Sequence, residues 1–205
     1  MEERFRKQID FIIEIDKVKS IIRRTRIFHG KRYENDAEHA WHMSMAALIL
    51  SEYANGKIDI AKVMKMALIH DIVEIDPGDT YLYDNRADKT VEERKCAERV
   101  FGLLPEDQGR EFLALWEEFE AKETPEARFA GAMDRLGPLM QNFLDDGHAW
   151  KKHGITSDRV LGVNRQIEKG SKAVWDYAQE IIEESIRTGK LNKNENSRGT
   201  VQTYL

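Results

Sequence analysis

An apolar, helix-periodic run, Val63-Met-Lys-Met-Ala-Leu-Ile-His-Asp-Ile-Val-Glu-Ile75, carries His70 and Asp71 in its interior. Such a run folds by being buried, and an imidazole beside a carboxylate is stable in an apolar interior only when other groups pair with both. The rest of the chain therefore has to deliver polar partners onto this pair. A divalent metal ion would meet that need, because neutral imidazole and carboxylate oxygen are good ligands for Mn, Fe, Co or Zn.

The remaining sequence reads as successive helices. Phe5, Ile9, Ile12, Ile13, Val18, Ile21 and Ile22 recur at the helical period and predict a first amphipathic helix over 4–22. Asp36 is placed to cap a second, with His39 in its first turn, Trp41, Met45, Leu48 and Ile49 facing inward, and Asn55-Gly56 as its stop. Asp59 caps a third, which runs through His70-Asp71 to a stop near Pro77-Gly78. Thr90 and Glu93 form a capping box for a fourth, and Pro105 opens a fifth that buries Phe112, Leu115, Trp116 and Phe119. Thr124-Pro125 starts a helix containing Phe129, Met133, Leu136 and Met140, with a kink expected at Pro138. Ser157 caps a last long helix through Ile167, Val174, Trp175, Tyr177 and Ile181. No strand alternation competes with this reading. The expectation is an all-α fold, one helical bundle over 1–190 with a metal site in its core, followed by a polar, disordered tail over 191–205.

Composition narrows the function classes. A chain of 205 residues is long enough to enclose a pocket, and no apolar run approaches the ~20 residues that span a bilayer. The N-terminus lacks a signal-peptide layout and the single Cys96 has no internal disulfide partner, so a cytoplasmic protein is expected. A net charge of −5 gives no overall attraction for nucleic-acid polymers, whereas a small anionic substrate needs only a few local cations.

His39, His70-Asp71 and Asp134 lie on three separate predicted helices, and Asp134 is flanked by apolar residues as His70 is. Gathered in one core, two imidazoles and two carboxylates leave coordination positions open on an octahedral ion, as catalysis on water or substrate requires. Hydrolysis is the chemistry this favours.

The blocks Glu34-Asn-Asp-Ala-Glu-His-Ala-Trp-His42, His70-Asp-Ile-Val-Glu-Ile-Asp-Pro-Gly-Asp79 and Met133-Asp-Arg-Leu136 resemble those of HD-domain metal-dependent phosphohydrolases, in particular the 5′-deoxynucleotidase-like subfamily. The resemblance implies that His39, His70, Asp71 and Asp134 bind a divalent ion (Mn, Co, Fe, Zn or Mg). It implies that Glu74, one turn beyond His70, transfers protons, that Arg24 contacts substrate phosphate, and that Asp79 contacts the sugar. Thr25 stands where those deoxynucleotidases place Trp. The implied activity is hydrolysis of nucleoside 5′-monophosphates, deoxyribonucleotides foremost, by a homodimer. Two other readings compete: a phosphohydrolase of nucleoside triphosphates or phosphodiesters, and a noncatalytic metal- and nucleotide-binding sensor.

Overall fold

The computed structural model describes residues 2–79, 82–83 and 89–194. Its helices are α1 (Glu3–Ile15), α2 (Asp36–Leu50), α3 (Ile60–Ile69), α4 (Lys89–Phe101), α5 (Glu106–Ala121), α6 (Pro125–Leu144), α7 (His148–Lys152), α8 (Ser157–Asn164), α9 (Ile167–Gly170) and α10 (Lys172–Arg187). Strands β1 (Ile22–Arg26) and β2 (Tyr33–Asn35) form a small antiparallel hairpin between α1 and α2. The all-α expectation holds, with this hairpin as its exception. Buried residues from Phe11 on α1 to Ile182 on α10 and Leu191 beyond it make one hydrophobic cluster.

Helix α6 is central, packing against α2, α3, α5, α9 and α10. Thr124 accepts the Ala127 N–H at its start and Pro125 occupies the first turn, as the sequence predicts. Small buried residues, Ala127, Ala130, Gly131 and Ala132, let its neighbours approach closely. A Cβ on Gly170 of α9 would lie 2.3 Å from the Arg128 carbonyl oxygen, so that contact admits only glycine. The α6 helix continues through Pro138.

Several expectations need correction. The first helix stops at Ile15, a 3-10 turn covers Asp16–Ser20, and Ile22 enters β1 with its side chain exposed. The hairpin escapes detection because Ile22-Arg-Arg-Thr-Arg26 lacks an alternating apolar face. The cap of α2 is Asn35, whose side chain accepts the Glu38 N–H while Glu38 accepts from the Asn35 N–H; Asp36 is the first helical residue and is buried. On α2 the inward residues are His39, Ala40, Met43, Ser44 and Ala47, whereas Trp41 and Ile49 are 63% and 64% exposed. This helix is apolar nearly all round, so periodicity could not choose its buried stripe, and close packing on α3 and α6 selected the small residues.

Asp59 does cap α3, accepting from the Ala61 and Lys62 N–H groups, but the helix ends at Ile69. His70 is its C-cap, Asp71 leaves the helical conformation, and Ile72–Glu74 form a 3-10 turn. Helix α4 begins at Lys89, one residue before the expected cap. The predicted last long helix is three pieces, broken after Asn164 and again at Ser171, whose hydroxyl caps α10 by accepting the Val174 N–H. Tyr177 is exposed. Of the expected tail, Leu191 is buried and its N–H bonds the Ser185 carbonyl, and 195–205 lie outside the described residues. Among the described residues no helix is long and apolar enough to cross a membrane.

Candidate metal centre

His39 comes from the first turn of α2, His70 from the C-cap of α3, Asp71 from the residue after it, and Asp134 from the middle of α6. The fold brings these groups together. His39 Nε2 lies 3.2 Å from Asp134 Oδ1 and 3.9 Å from Asp71 Oδ2; His70 Nε2 lies 3.1 Å from Asp71 Oδ2 and 3.8 Å from Asp134 Oδ1. Both imidazoles are buried, while the two carboxylates keep 15% and 17% side-chain exposure toward a cavity.

The arrangement fits a cation. His70 Nδ1 is 2.9 Å from the Ala67 carbonyl, which only accepts, so Nδ1 carries a proton and Nε2 is the ring atom turned toward the carboxylates, where a proton or a cation would sit. That Nε2 is buried without a hydrogen-bond partner. One donor atom each from His39, His70 and Asp71 fall within 4.8 Å of one another. His39 Nδ1 in turn faces Glu34 Oε2 at 3.6 Å, the pattern of a carboxylate that orients a metal-binding imidazole.

Electrostatics agree with this. Burial opposes the charge on His70, yet Asp71 and Asp134 push its imidazolium up to about 10. His39 is raised as well, against burial and Arg23, by Asp134 and Glu34. Despite their burial, Asp71 is held far below the usual carboxylate range by His70 and Arg23, and Asp134 by His39 and His70. Protons here fill the role that a divalent ion would take, and such an ion competes with them.

A cavity of about 220 Å³ opens on the cluster. Of the seven residues predicted for the site, His70, Asp71, Asp134, Glu74, Arg24 and Asp79 line it, and His39 is buried against Asp134 without lining it. Glu74 is buried in the 3-10 turn after Asp71, its N–H bonded to the Asp71 carbonyl at 3.0 Å. Asp36, Glu74 and Asp79 form a second group of carboxylates whose oxygens approach within 4.8 Å. Burial and the Asp71 charge push Asp36 up to about 7 against the pull of Arg23.

Sequence reasoning missed Arg23, Glu34 and Asp36. Strand β1 half-buries Arg23 and buries Thr25, leaving Arg24 exposed at the cavity mouth. Arg23 donates to Asp36 and Asp71, so it bonds the cluster directly. Side-chain alternation along β1 turns the two arginines apart, and the cationic segment carries no sequence signal for that strand.

The HD domain model matches residues 15–175. The chain belongs to the HD domain family. Among curated proteins, the 5′-deoxynucleotidase HDDC2 of Danio rerio is 30% identical over 136 residues, 65% of this chain and 66% of that protein. The Homo sapiens 5′-deoxynucleotidase HDDC2 is 26% identical over 139 residues, 66% of this chain and 67% of that protein. The chain thus matches about two thirds of the length of these relatives. The crystal structure of a predicted metal-dependent phosphohydrolase from Magnetospirillum magnetotacticum has a TM-score of 0.90 and 50% identity, covering 93% of this chain and 97% of that one. The resemblance carried by the three sequence blocks is met by these HD-domain relatives.

Proposed function

We propose that this HD-domain protein is a metal-dependent phosphohydrolase that cleaves nucleoside 5′-monophosphates, deoxyribonucleotides foremost, to nucleoside and phosphate. The observation that carries the reading is the placement of Glu74 in the same cavity wall as His70, Asp71 and Asp134. His39, His70, Asp71 and Asp134 would hold a divalent ion, one of Mn, Co, Fe, Zn or Mg. When bound, such an ion supplies charge neutralisation for phosphate and acidifies water.

The chain's own residues do the rest. Glu74 accepts a proton from the attacking water as oxygen bonds to phosphorus, and a proton passes to the 5′ oxygen as the P–O bond breaks. Arg24, at the cavity mouth, meets the phosphate with a guanidinium fork. Asp79 accepts from a sugar hydroxyl. Arg23 and Glu34 position Asp71 and His39 respectively. The names of the curated relatives support a nucleotide substrate.

The protein acts as a cytoplasmic homodimer in this reading. The free, buried Cys96 suits a reducing compartment, and the exposed Trp41, Met45, Leu48 and Ile49 supply an apolar face on α2 for a second copy.

A phosphate-release assay on metal-loaded protein, with deoxyribo- and ribonucleoside monophosphates, triphosphates and cyclic nucleotides, tests the activity. Turnover of monophosphates is expected. Cleavage of triphosphates or phosphodiesters alone would replace this reading, and no cleavage of any would leave a binding protein.

A further inference from the structure

Resting on the phosphohydrolase reading, we infer that Lys122 is a substrate-positioning residue whose ammonium holds a non-bridging phosphate oxygen in the cavity.

Lys122 ends α5 with a left-handed backbone, φ 53° and ψ 32°, at a position where glycine or asparagine is the usual choice. Its N–H bonds the Glu118 carbonyl at 3.2 Å, and its own carbonyl accepts from Arg128 Nε at 3.2 Å. These bonds fix the stem at the end of the helix.

From there the side chain crosses Gly131 of α6. A Cβ at Gly131 would stand 2.9 Å from Lys122 Cε and 3.0 Å from Cδ, so the glycine makes the track the lysine follows. Gly131 lies one helical turn before Asp134, on the same side of α6. The ammonium lies over the Phe119 ring, 2.8 Å from its centroid, and that ring is 5.0 Å from the His70 ring. Lys122 thereby lines the cavity that holds Asp71, Glu74 and Asp134.

The ammonium has three N–H donors, and an aromatic face satisfies charge but accepts no strong hydrogen bond. Among the described residues no oxygen acceptor pairs with Lys122 Nζ, although many other lysines of the fold have one, as Lys62 has Glu118 at 2.7 Å. Burial pulls Lys122 down to about 8, so its remaining charge is poorly hydrated.

The cavity also calls for such a group. Asp71, Asp134, Glu74 and Asp79 repel a phosphate dianion, and Arg23 is engaged with Asp36 and Asp71. Arg24 reaches the cavity from β1, and Lys122 reaches it from α5.

The test is Lys122→Met, which keeps the apolar stem and removes the charge, with Lys122→Gln read beside it. Inorganic phosphate is titrated by calorimetry into metal-loaded wild type and variants, alongside monophosphate kinetics, metal content and melting temperature. The expected result is phosphate affinity weakened about tenfold or more, with KM for the monophosphate raised similarly, and metal content and melting temperature retained. Unchanged phosphate affinity and KM in either folded variant would overturn the assignment, as would a lowered melting temperature with phosphate affinity intact. If wild type turns over no monophosphate yet binds phosphate, and the variants lose that binding, the hydrolase reading falls while Lys122 stands as the phosphate cation. Absence of phosphate binding by metal-loaded wild type, with KM for the monophosphate unchanged in both variants, would overturn the Lys122 assignment and leave the hydrolase reading to the turnover assay.

Discussion

Arg23 Nη1 donates to Asp71 Oδ2 at 2.7 Å and also to Asp36 Oδ1 at 3.0 Å, so a residue of the β-hairpin fixes the carboxylate that follows His70. Arg23→Met should leave Asp36 and Asp71 facing each other without a cation. A loss of about 10–100-fold in metal affinity or turnover is expected, the range typical of groups that orient ligands. Metal titration and steady-state kinetics on the same preparation check it, and an unaltered protein in both would remove Arg23 from the site.

Glu74→Gln keeps the shape of the side chain and removes its basicity. Turnover should fall by about 10²–10⁴-fold while bound metal stays at the wild-type level. Single-turnover phosphate release with parallel elemental analysis reads the two separately; a normal rate would exclude Glu74 as the proton carrier.

For Asp79 the expected signature lies in discrimination. Asp79→Asn should raise KM for deoxyribonucleoside monophosphates and narrow the ratio between deoxyribo- and ribonucleotides, with kcat changed less. Competition between the two substrates in one reaction measures that ratio, and an unchanged ratio would release Asp79 from sugar recognition.

Protons compete with metal at this cluster. Because Asp71 and Asp134 push the metal-free His70 from 6.5 up to about 10, with burial opposing, binding of a cation near neutrality must release protons. Apparent metal affinity should therefore rise with pH across that interval. In the metal-free protein the sign is opposite: the charged His70 stabilises the fold fully below 6.5, and this contribution disappears as pH rises through about 10. Calorimetry in buffers of different ionisation enthalpy counts the released protons, and melting curves of metal-free protein follow the second effect.

Gly170→Ala tests the packing of α9 on α6. Its Cβ would sit 2.3 Å from the Arg128 carbonyl oxygen and 2.9 Å from the Ala132 Cβ. A destabilisation of about 1–3 kcal/mol is expected for such overpacking. Urea unfolding measures it, and wild-type stability would show that the two helices separate freely.

The helices and the clustering of the candidate metal ligands were legible in the sequence because each carried its own local signal. Asp59 and Thr124 announce helix starts through chemistry confined to one turn, and His39, His70-Asp71 and Asp134 stand out as polar residues that burial would penalise unless paired. What stayed hidden depended on tertiary choice. An α2 helix that is apolar on most sides gives no preferred face until α3 and α6 close on it, so Trp41 and Ile49 read as core although they are exposed. Arg23 and Arg24 look alike in a cationic run, and only the β1–β2 pairing turns one toward Asp71. Neither long-range pairing nor helix-face selection leaves a periodic mark in a short polar strand.

The early end of α3 has an electrostatic consequence. With Ile69 as its last helical residue and His70 as its cap, the helix presents its negative pole beside the histidines and carboxylates rather than two turns further on. A helix C-terminus favours positive charge nearby by about 0.3–1 kcal/mol. The backbone itself thus leans toward a cation at this place, independently of the ligating side chains, and extending α3 would carry that bias away from them.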